Sequence, residues 1–208
     1  MTLPRTLGGV PDPDEEELIE RLRAGDESAF GSLVTRYHPS MVRVASTFVP
    51  SRAVAEEVAQ DTWLGVVKGL PRFEGRSSLK TWIFRILVNR AKTTGGREPR
   101  TVELDTGDGL GSERFTAAGT WREPPVVWTD DIEDRLAAPE IAARILEVVD
   151  QLPESQRQVV TLRDIEGLSS KEVCDVLGIS EGNQRVLLHR ARTRVRAMLE
   201  DDVRRWGK

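Results

Sequence analysis

The stretch 168–196 constrains the fold most strongly, because its helix-ending and helix-starting residues are spaced as in a helix-turn-helix. Gly178 can end a first helix, and Ser180 is a good N-cap for a second helix that begins near Glu181. The apolar residues of the first helix fall at the i, i+3, i+4 spacing of one buried face and are Val173, Val176 and Leu177. The stretch therefore predicts two helices joined by a tight turn.

The second helix of this stretch is apolar on one side and basic on the other. At about 100° per residue, its apolar arc consists of Leu187, Leu188, Ala191, Val195, Met198 and Leu199. The opposite arc consists of Arg185, Val186, His189, Arg190, Thr193 and Arg196. A DNA major groove admits one helix, and arginine can contact both phosphates and guanine edges. The pattern predicts a DNA-reading helix. The alternative, a surface helix with a solvated basic face, is disfavoured by the turn signals upstream.

The distribution of charge suggests a second nucleic-acid contact. The 208 residues carry a net charge of −4 and 31% of them are charged, so the chain is not basic overall. Acidic residues concentrate in 12–20 and 105–134, whereas basic residues concentrate in 72–100 and 185–196. Two basic surfaces separated by an acidic tether predict two contacts with nucleic acid on one chain.

Composition excludes several classes of protein. No apolar run approaches the roughly 18 residues of a membrane span, and the N-terminus lacks a signal-peptide pattern, so we expect a cytoplasmic protein without membrane insertion. The single cysteine, Cys174, excludes an internal disulfide and is interpreted as a core residue rather than a redox group. With only His38 and His189, no zinc cluster is expected.

No catalytic constellation is recognisable either. The sequence has no glycine phosphate loop, and its acids do not pair with a nucleophile or a metal set. Glu56, Glu57 and Asp61 share one helix face, which is either half of a carboxylate site or a solvated, partner-binding face. Because no Glu-x-x-His partner exists, the second interpretation is favoured. We expect no enzyme activity, no cofactor and no small-molecule substrate.

Helical periodicity predicts an all-α fold of two small domains joined by a long flexible linker. A disordered lead-in occupies 1–13, the first helical domain 14–94, the linker 95–138 and the second domain 139–208. The linker is rich in glycine, proline and acidic residues, and a structureless stretch of that length inside one compact domain is improbable. Trp121 and Trp128 flank a Pro-Pro pair within it, and they are expected to lie on a surface of a partner or of the chain itself.

The first domain ends with a loop and a basic helix. Residues 72–78 form a loop by composition, and Ser77 or Ser78 can cap a helix that continues to about Thr93. The residues expected inside are Leu79, Trp82, Ile83, Ile86 and Leu87. The residues expected on the outer face are Thr81, Arg85, Val88 and Lys92. Earlier in the chain, Pro39 should kink or split its helix.

Both domains resemble parts of a known family. Residues 54–63, 73–77 and 79–89 are similar to regions 2.2, 2.3 and 2.4 of bacterial sigma factors of the extracytoplasmic-function (ECF) type, in the sigma-70 family. Residues 152–157, 162–169, 177–183 and 188–192 resemble region 4 of the same family. The matches follow the right order and spacing, and only the lead-in and the linker lie outside them.

The resemblance implies a promoter-specificity subunit of RNA polymerase. Such a subunit binds core polymerase, recognises the −35 and −10 elements, assists melting and initiates transcription of a regulon, often in response to stress. It implies that region 2.2 docks on the β′ clamp helices through Glu56, Glu57, Gln60, Asp61 and Trp63. It further implies contact with the β flap, and control by an anti-sigma factor.

The resemblance also assigns two sets of promoter contacts. The loop is implied to hold a flipped base in a pocket with polar edges and an apolar wall. The residues implied at the −10 element are Phe73, Arg76, Ser77, Ser78, Lys80, Thr81, Arg85, Asn89 and Lys92. Those implied at the −35 element are Asn183, Arg185, Val186, His189, Arg190, Thr193 and Arg196. Gln184 and Arg76 depart from common family residues, so the roles of these positions carry over but the bases they read do not.

One alternative is a stand-alone helix-turn-helix regulator. That class commonly uses two-fold symmetry to match paired half-sites, and neither a dimerising heptad nor a ligand pocket is evident in the sequence. An enzyme with an appended DNA-binding domain lacks a catalytic constellation.

Overall fold

The computed structural model describes residues 13–96 and 139–206, and within these ranges it contains helices and no strand. The first range holds α1 (Pro13–Arg23), α2 (Glu27–Ala45), α3 (Arg52–Gly69), a 3-10 turn (Leu70–Arg72) and α4 (Leu79–Thr94). The second holds α5 (Pro139–Asp150), α6 (Glu154–Val160), a π-helical turn (Thr161–Ile165), α7 (Ser170–Leu177) and α8 (Glu181–Trp206). The all-helical prediction is confirmed for these ranges. The predictions for the lead-in up to residue 12 and for the linker with its tryptophans fall outside the described residues.

The described residues belong to two compact units. The first unit comprises 13–96 together with 166–178, and the second comprises 139–165 and 179–206. The domain boundaries predicted from the sequence, 14–94 and 139–208, place the segment 166–178 in the second domain, whereas the structure groups it with the first unit. The segment 166–178, which contains α7, makes its contacts within the first unit.

Side-chain caps begin three helices of the first unit, and the cap at Ser78 is one of the two that the sequence analysis offers for α4. Asp26, Ser51 and Ser78 each accept a hydrogen bond from the backbone N–H three residues later, at the starts of α2, α3 and α4. α2 runs through Pro39 as one helix, so the predicted split does not occur. The largest fully buried side chains of this unit are Leu33, Met41, Val44, Val66, Leu79, Ile83, Phe84 and Leu87.

The prediction for the outer face of α4 is partly wrong. Thr81 is 2% exposed and Val88 is fully buried, whereas Trp82 and Ile86 are only half-buried. α4 packs against α2, α3 and α7, so it has neighbours on more than one side. A helical wheel drawn for a single buried face cannot represent that arrangement.

In the second unit, α8 packs against α5 and α6. The Arg192 guanidinium makes two hydrogen bonds to the Asp164 carboxylate, at 2.8 and 2.6 Å, and Arg144 Nε donates to Asp202 at 2.9 Å. The buried apolar side chains are Ile141, Val148, Val149, Leu152, Val159, Val160, Leu162, Leu187, Leu188, Ala191 and Leu199. The predicted buried side of α8 is therefore confirmed for Leu187, Leu188, Ala191 and Leu199.

Two positions of that side were predicted wrongly and one was missed. Met198 is exposed and Val195 is half-buried, although the adjacent Leu199 is fully buried. Gln184 is buried instead, and its Nε2 has no hydrogen-bond partner. No helix among the described residues is both long and apolar enough to cross a membrane.

Candidate nucleic-acid interface

The loop between the 3-10 turn and α4 has a buried beginning and an exposed middle. The Phe73 ring is buried and lies 4.9 Å from the Trp82 ring, at 43° between their planes. Gly75 has a φ of +69°, a left-handed conformation that favours glycine. The Arg76 side chain is 85% exposed and forms an ion pair with Glu74. The structure therefore buries Phe73 and leaves Arg76 exposed, whereas the resemblance implies that these two residues line one pocket with Ser77.

A cleft of about 260 Å³ lies instead between this loop and α1. An Arg23 Nη2 group donates a hydrogen bond to the Phe73 carbonyl, and the Leu79 N–H donates to a Glu15 carboxylate oxygen. α1 thus contacts the chain just before and just after the loop. The residues that line the cleft are Glu16, Ile19, Glu20, Arg23, Phe73, Glu74 and Gly75. The sequence analysis did not identify these α1 residues as part of a site, and the acidic run in 12–20 was the one sequence feature that pointed to them.

Polar side chains form one stripe along α4. Positions 78, 81, 85, 89 and 92 are separated by three or four residues, so they lie on one side of the helix. We call this stripe the α4 polar face; it consists of Ser78, Thr81, Arg85, Asn89 and Lys92, with Lys80 beside it. Arg85 and Asn89 are exposed, whereas the residues at both ends of the stripe are at least half-buried.

The start of the α4 polar face contacts Glu172 of α7. The Thr81 hydroxyl lies 2.6 Å and the Ser78 hydroxyl 3.1 Å from the same carboxylate oxygen of Glu172. The other carboxylate oxygen accepts from the Ser169 N–H at 2.8 Å, which completes a capping box at the start of α7. Burial raises the pKa of Glu172, but hydrogen bonds from Thr81, Ser169 and Ser78 outweigh it and hold that pKa below its ordinary value.

The two lysines contact backbone carbonyls of the segment 166–178. Lys92 Nζ donates to the Leu177 carbonyl at 2.7 Å, and Lys80 Nζ donates to the Glu166 carbonyl. Burial lowers the pKa of Lys80, although the Glu166 carboxylate partly offsets it, and burial also lowers the pKa of Lys92. The Glu166 side chain is itself buried and lies 3.3 Å from the Arg43 guanidinium. Four predicted −10 residues therefore have partners within this segment.

The predicted docking residues on α3 divide into two groups. Trp63 is 7% exposed, its ring meets the Phe30 ring edge to face at 5.7 Å, and its Nε1 donates to His38. Glu56 is half-buried, and one of its carboxylate oxygens lies at hydrogen-bonding distance, 3.0 Å, from the other ring nitrogen of His38, Nε2. The structure thus corrects the placement of Trp63, whose ring packs in the core. Glu57, Gln60 and Asp61 are exposed.

Two exposed apolar residues continue the acidic side of α3. Leu64 is 60% and Val67 53% exposed, and they follow Gln60 at helical spacings of four and seven residues. We call the surface formed by Glu57, Gln60, Asp61, Leu64 and Val67 the α3 docking face. A groove of about 420 Å³ between α3 and α4 runs from Asp61 to Asn89 and Thr93. Sequence reasoning missed Leu64 and Val67, although their exposure follows from the same helical spacing as the carboxylates.

The outer side of α8 presents its predicted residues unequally. Arg185, Val186 and His189 are exposed, whereas Asn183, Arg190, Thr193 and Arg196 are half-buried. The Ser180 hydroxyl accepts from the Asn183 N–H at 3.2 Å, as expected for an N-cap. Gly178 has a φ of +72° and ends α7, so the order of helix, turn and helix is confirmed. Among the described residues no group of three or more side chains could hold a metal ion.

Comparison with known families identifies the class of protein. Residues 33–94 match Sigma-70 region 2, and residues 142–195 match Sigma-70, region 4. The ECF RNA polymerase sigma-E factor of Escherichia coli K12 is 30% identical over 194 residues, covering 92% of this chain and 97% of that protein. The RNA polymerase sigma-H factor of Pseudomonas aeruginosa is 30% identical over 193 residues, covering 91% and 96%.

The chain therefore belongs to the sigma-70 family of RNA polymerase sigma factors. Within that family its full-length relatives place it in the ECF group, which confirms the resemblance read from the sequence. It is a promoter-specificity subunit, and the stand-alone regulator is not favoured. Two solved structures share its fold. CnrH bound to the cytosolic domain of CnrY has a TM-score of 0.57 and 24% sequence identity, and the match covers 90% of this chain and 98% of that one. The sigma factor RpoE bound to the anti-sigma factor NepR from Bartonella quintana has a TM-score of 0.55 and 20% identity, and the match covers 82% of this chain and 96% of that one.

Proposed function

We propose that this subunit reads the −10 element with α4 and its preceding loop and reads the −35 element with α8. The α4 polar face carries the proposal for the −10 element, because five polar side chains follow one side of the helix directly after the loop. Hydroxyl, amide and cationic groups in such a row can donate hydrogen bonds to phosphate oxygens and to base edges. Phe73 is buried against Trp82, so we assign it to holding the loop in position rather than to stacking on an unpaired base.

The proposed −35 reader is the exposed start of α8. Arg185 and His189 offer donors one turn apart, and the short Val186 between them can approach a thymine methyl. Arg192 has a different role, because its guanidinium is already paired with Asp164. The half-buried Arg190, Thr193 and Arg196 extend the same side toward the phosphate backbone.

The proposed polymerase contact is the α3 docking face. Apolar side chains flanked by carboxylates make a surface that can bury area and also select a basic partner. The matching partner is the pair of β′ clamp helices, and we assign Glu57, Gln60 and Asp61 to this contact rather than Trp63. Contact of the second unit with the β flap completes the proposal.

The remaining assignments concern partners and location. Two solved structures with this fold each contain a bound protein, described for one of them as an anti-sigma factor. We propose that an anti-sigma factor also holds this chain, and that it acts in the cytoplasm as a non-catalytic subunit without a cofactor or small-molecule substrate.

Reconstituted transcription tests the proposed function. Core RNA polymerase, the purified chain and a genomic promoter library should give discrete start sites that are absent when the chain is left out. If no transcript depends on the chain, and the chain alone shifts DNA as a dimer, the stand-alone regulator is the correct function.

A further inference from the structure

The loop before α4 is held at its two ends by side chains of α1. Arg23 donates a hydrogen bond from Nη2 to the Phe73 carbonyl, where the loop begins. Glu15 accepts a hydrogen bond from the Leu79 N–H, where the loop ends and α4 begins. Because Glu15 lies near the start of α1 and Arg23 at its end, one short helix reaches both ends of the loop.

The middle of the loop has little backbone support of its own. The Phe73 N–H donates to the Leu70 carbonyl at 3.1 Å, and the Trp82 N–H donates to the Ser78 carbonyl at 3.0 Å. Among the described residues, no backbone–backbone hydrogen bond involves positions 74–77. A segment without such bonds opens easily, so its position depends on the groups that hold its ends.

Both contacts from α1 join a charged side chain to the backbone, and hydrogen bonds of this kind are stronger than neutral ones. The Glu15 carboxylate lies at the N-terminus of α4, where free N–H groups and the helix dipole favour a negative charge. Ser78 caps the same helix by accepting from the Thr81 N–H, so Glu15 satisfies an N–H that this cap does not reach.

α1 is itself fixed to the first unit. Its side chains Ile19 and Leu22 are buried, and the helix contacts α2 and the 3-10 turn. Arg21, near the end of α1, pairs with Asp26, which caps the start of α2. A helix that is packed in this way can hold a neighbouring loop in a constant position.

We propose that Glu15 and Arg23 are positioning residues for −10 recognition, which hold the loop where its exposed middle can take up an unpaired base. This inference rests on the proposed function of the loop and α4. Each residue acts through the backbone rather than on DNA, Arg23 through Phe73 and Glu15 through Leu79. α1 thereby contributes to promoter recognition although it lies outside the residues 33–94 that match Sigma-70 region 2.

The test measures transcription by holoenzyme assembled from core polymerase and the full-length chain, on a promoter recovered from the genomic library. The non-template strand carries a single abasic site, placed in turn at each position of the −10 element. An abasic site removes the base and keeps the phosphate, so wild-type transcription should fall at the position whose base the loop holds.

Glu15→Ala should lower transcription from the intact promoter by about tenfold, the size of effect expected for a lost hydrogen bond to a charged group. On the template that lacks the base held by the loop, the variant and the wild type should be equally active, because a positioned loop then has no base to hold. At the other positions the difference should remain. A difference of equal size on every template would overturn the inference, since poor folding or weak polymerase binding produces that result.

Two further variants of α1 separate the hydrogen bond from the charge. Glu15→Gln keeps an oxygen that can accept from the Leu79 N–H, so it should restore most of the activity that Glu15→Ala loses. Glu17→Ala removes one negative charge from an exposed position of the same helix and should leave transcription nearly unchanged. Equal losses in Glu17→Ala and Glu15→Ala, or no recovery in Glu15→Gln, would also overturn the inference.

A double variant tests whether the two residues act together. Once one end of the loop is released its position is already lost, so adding Arg23→Ala to Glu15→Ala should cost much less than the product of the two single losses. Losses that multiply would contradict a shared action through the loop.

The same templates distinguish failure of this inference from failure of the proposed function. If wild-type transcription falls at one abasic position but Glu15→Ala keeps its full effect there, only the positioning role is overturned. If no abasic position lowers wild-type transcription, the chain does not read bases of the −10 element, and both proposals fail.

Discussion

The indole nitrogen of Trp63 donates a hydrogen bond to Nδ1 of His38 across 3.3 Å. An indole N–H can only donate, so His38 must accept at Nδ1 and carry its proton on Nε2. That Nε2 lies 3.0 Å from a Glu56 carboxylate oxygen, which accepts the proton's hydrogen bond. The three side chains join α2 to α3, and this explains why a tryptophan in the region 2.2 helix faces inward.

Trp63→Phe should therefore lower stability without affecting the polymerase contact. The phenyl ring can keep the edge-to-face contact with Phe30 but cannot donate to His38, so we expect a loss of about 0.5 to 1.5 kcal/mol in the free energy of unfolding. Chemical denaturation measures this loss. If the Trp63→Phe variant is fully folded but binds core polymerase more weakly, Trp63 belongs to the docking surface after all.

The α3 docking face predicts the opposite behaviour for Leu64. Because Leu64 is largely exposed, Leu64→Ala should leave the unfolding free energy nearly unchanged. It should weaken binding to core polymerase by more than about 1 kcal/mol if it anchors the contact. Asp61→Lys should also weaken binding, whereas charge reversal at the exposed Glu17 of α1 is the control and should not. Competition binding to core polymerase checks all three variants.

The loop before α4 should depend on Arg23. Arg23→Ala removes the hydrogen bond to the Phe73 carbonyl, so the loop should lose its fixed position. We expect transcription from a −10-dependent promoter to fall about tenfold while affinity for core polymerase stays constant, since precise positioning controls productive contact. Arg21→Ala is a matched control on the same helix, because that arginine pairs with Asp26 instead. Equal effects of the two variants would show that α1 acts only through stability or charge.

The contact between Glu172 and α4 should depend on pH. Hydrogen bonds hold the folded-state pKa of Glu172 below the ordinary value of 4.5, so its contribution to stability is present above that value. The contribution is lost as the pH falls through the lowered pKa. The unfolding free energy of the wild type should exceed that of Glu172→Gln near neutral pH, and the two should converge as the pH falls below 4.5 and through the lowered pKa. A difference that stays constant down to acid pH would contradict the assignment.

Much of this architecture could be predicted from local chemistry. The caps at Asp26, Ser51, Ser78 and Ser180 act through neighbouring residues, so the sequence alone predicts where those helices begin. The same holds for Gly178, whose left-handed conformation ends α7. These features need no knowledge of distant parts of the chain.

The wrong predictions depend on distant contacts. Thr81 and Val88 were placed outside because a wheel assumes one buried side, yet α4 meets α2, α3 and α7. Trp63 looked like a surface aromatic among carboxylates, and only its contacts with Phe30 and His38 reveal a core residue. The bond from Arg23 to Phe73 joins positions fifty residues apart, and no periodicity reports it.

The α8 surface predicts a graded response among arginines. Arg190→Ala should cost about 1 to 3 kcal/mol and relax preference at one −35 position if Arg190 contacts a base. A uniform loss over all sequences would mark it as a phosphate contact. Arg192→Ala is the comparison, because loss of its pair with Asp164 should lower stability and leave sequence preference unchanged.

The central claim is that two helices of this subunit read two separate promoter elements. Start-site mapping on a promoter library with randomised −10 and −35 elements tests it, using holoenzyme that carries Arg85→Ala on α4 or Arg185→Ala on α8. Both arginines are exposed, so neither change should disturb folding. We predict that Arg85→Ala relaxes sequence preference only at the −10 element and Arg185→Ala only at the −35 element. Relaxation of the same element by both variants, or of neither element, would contradict the claim.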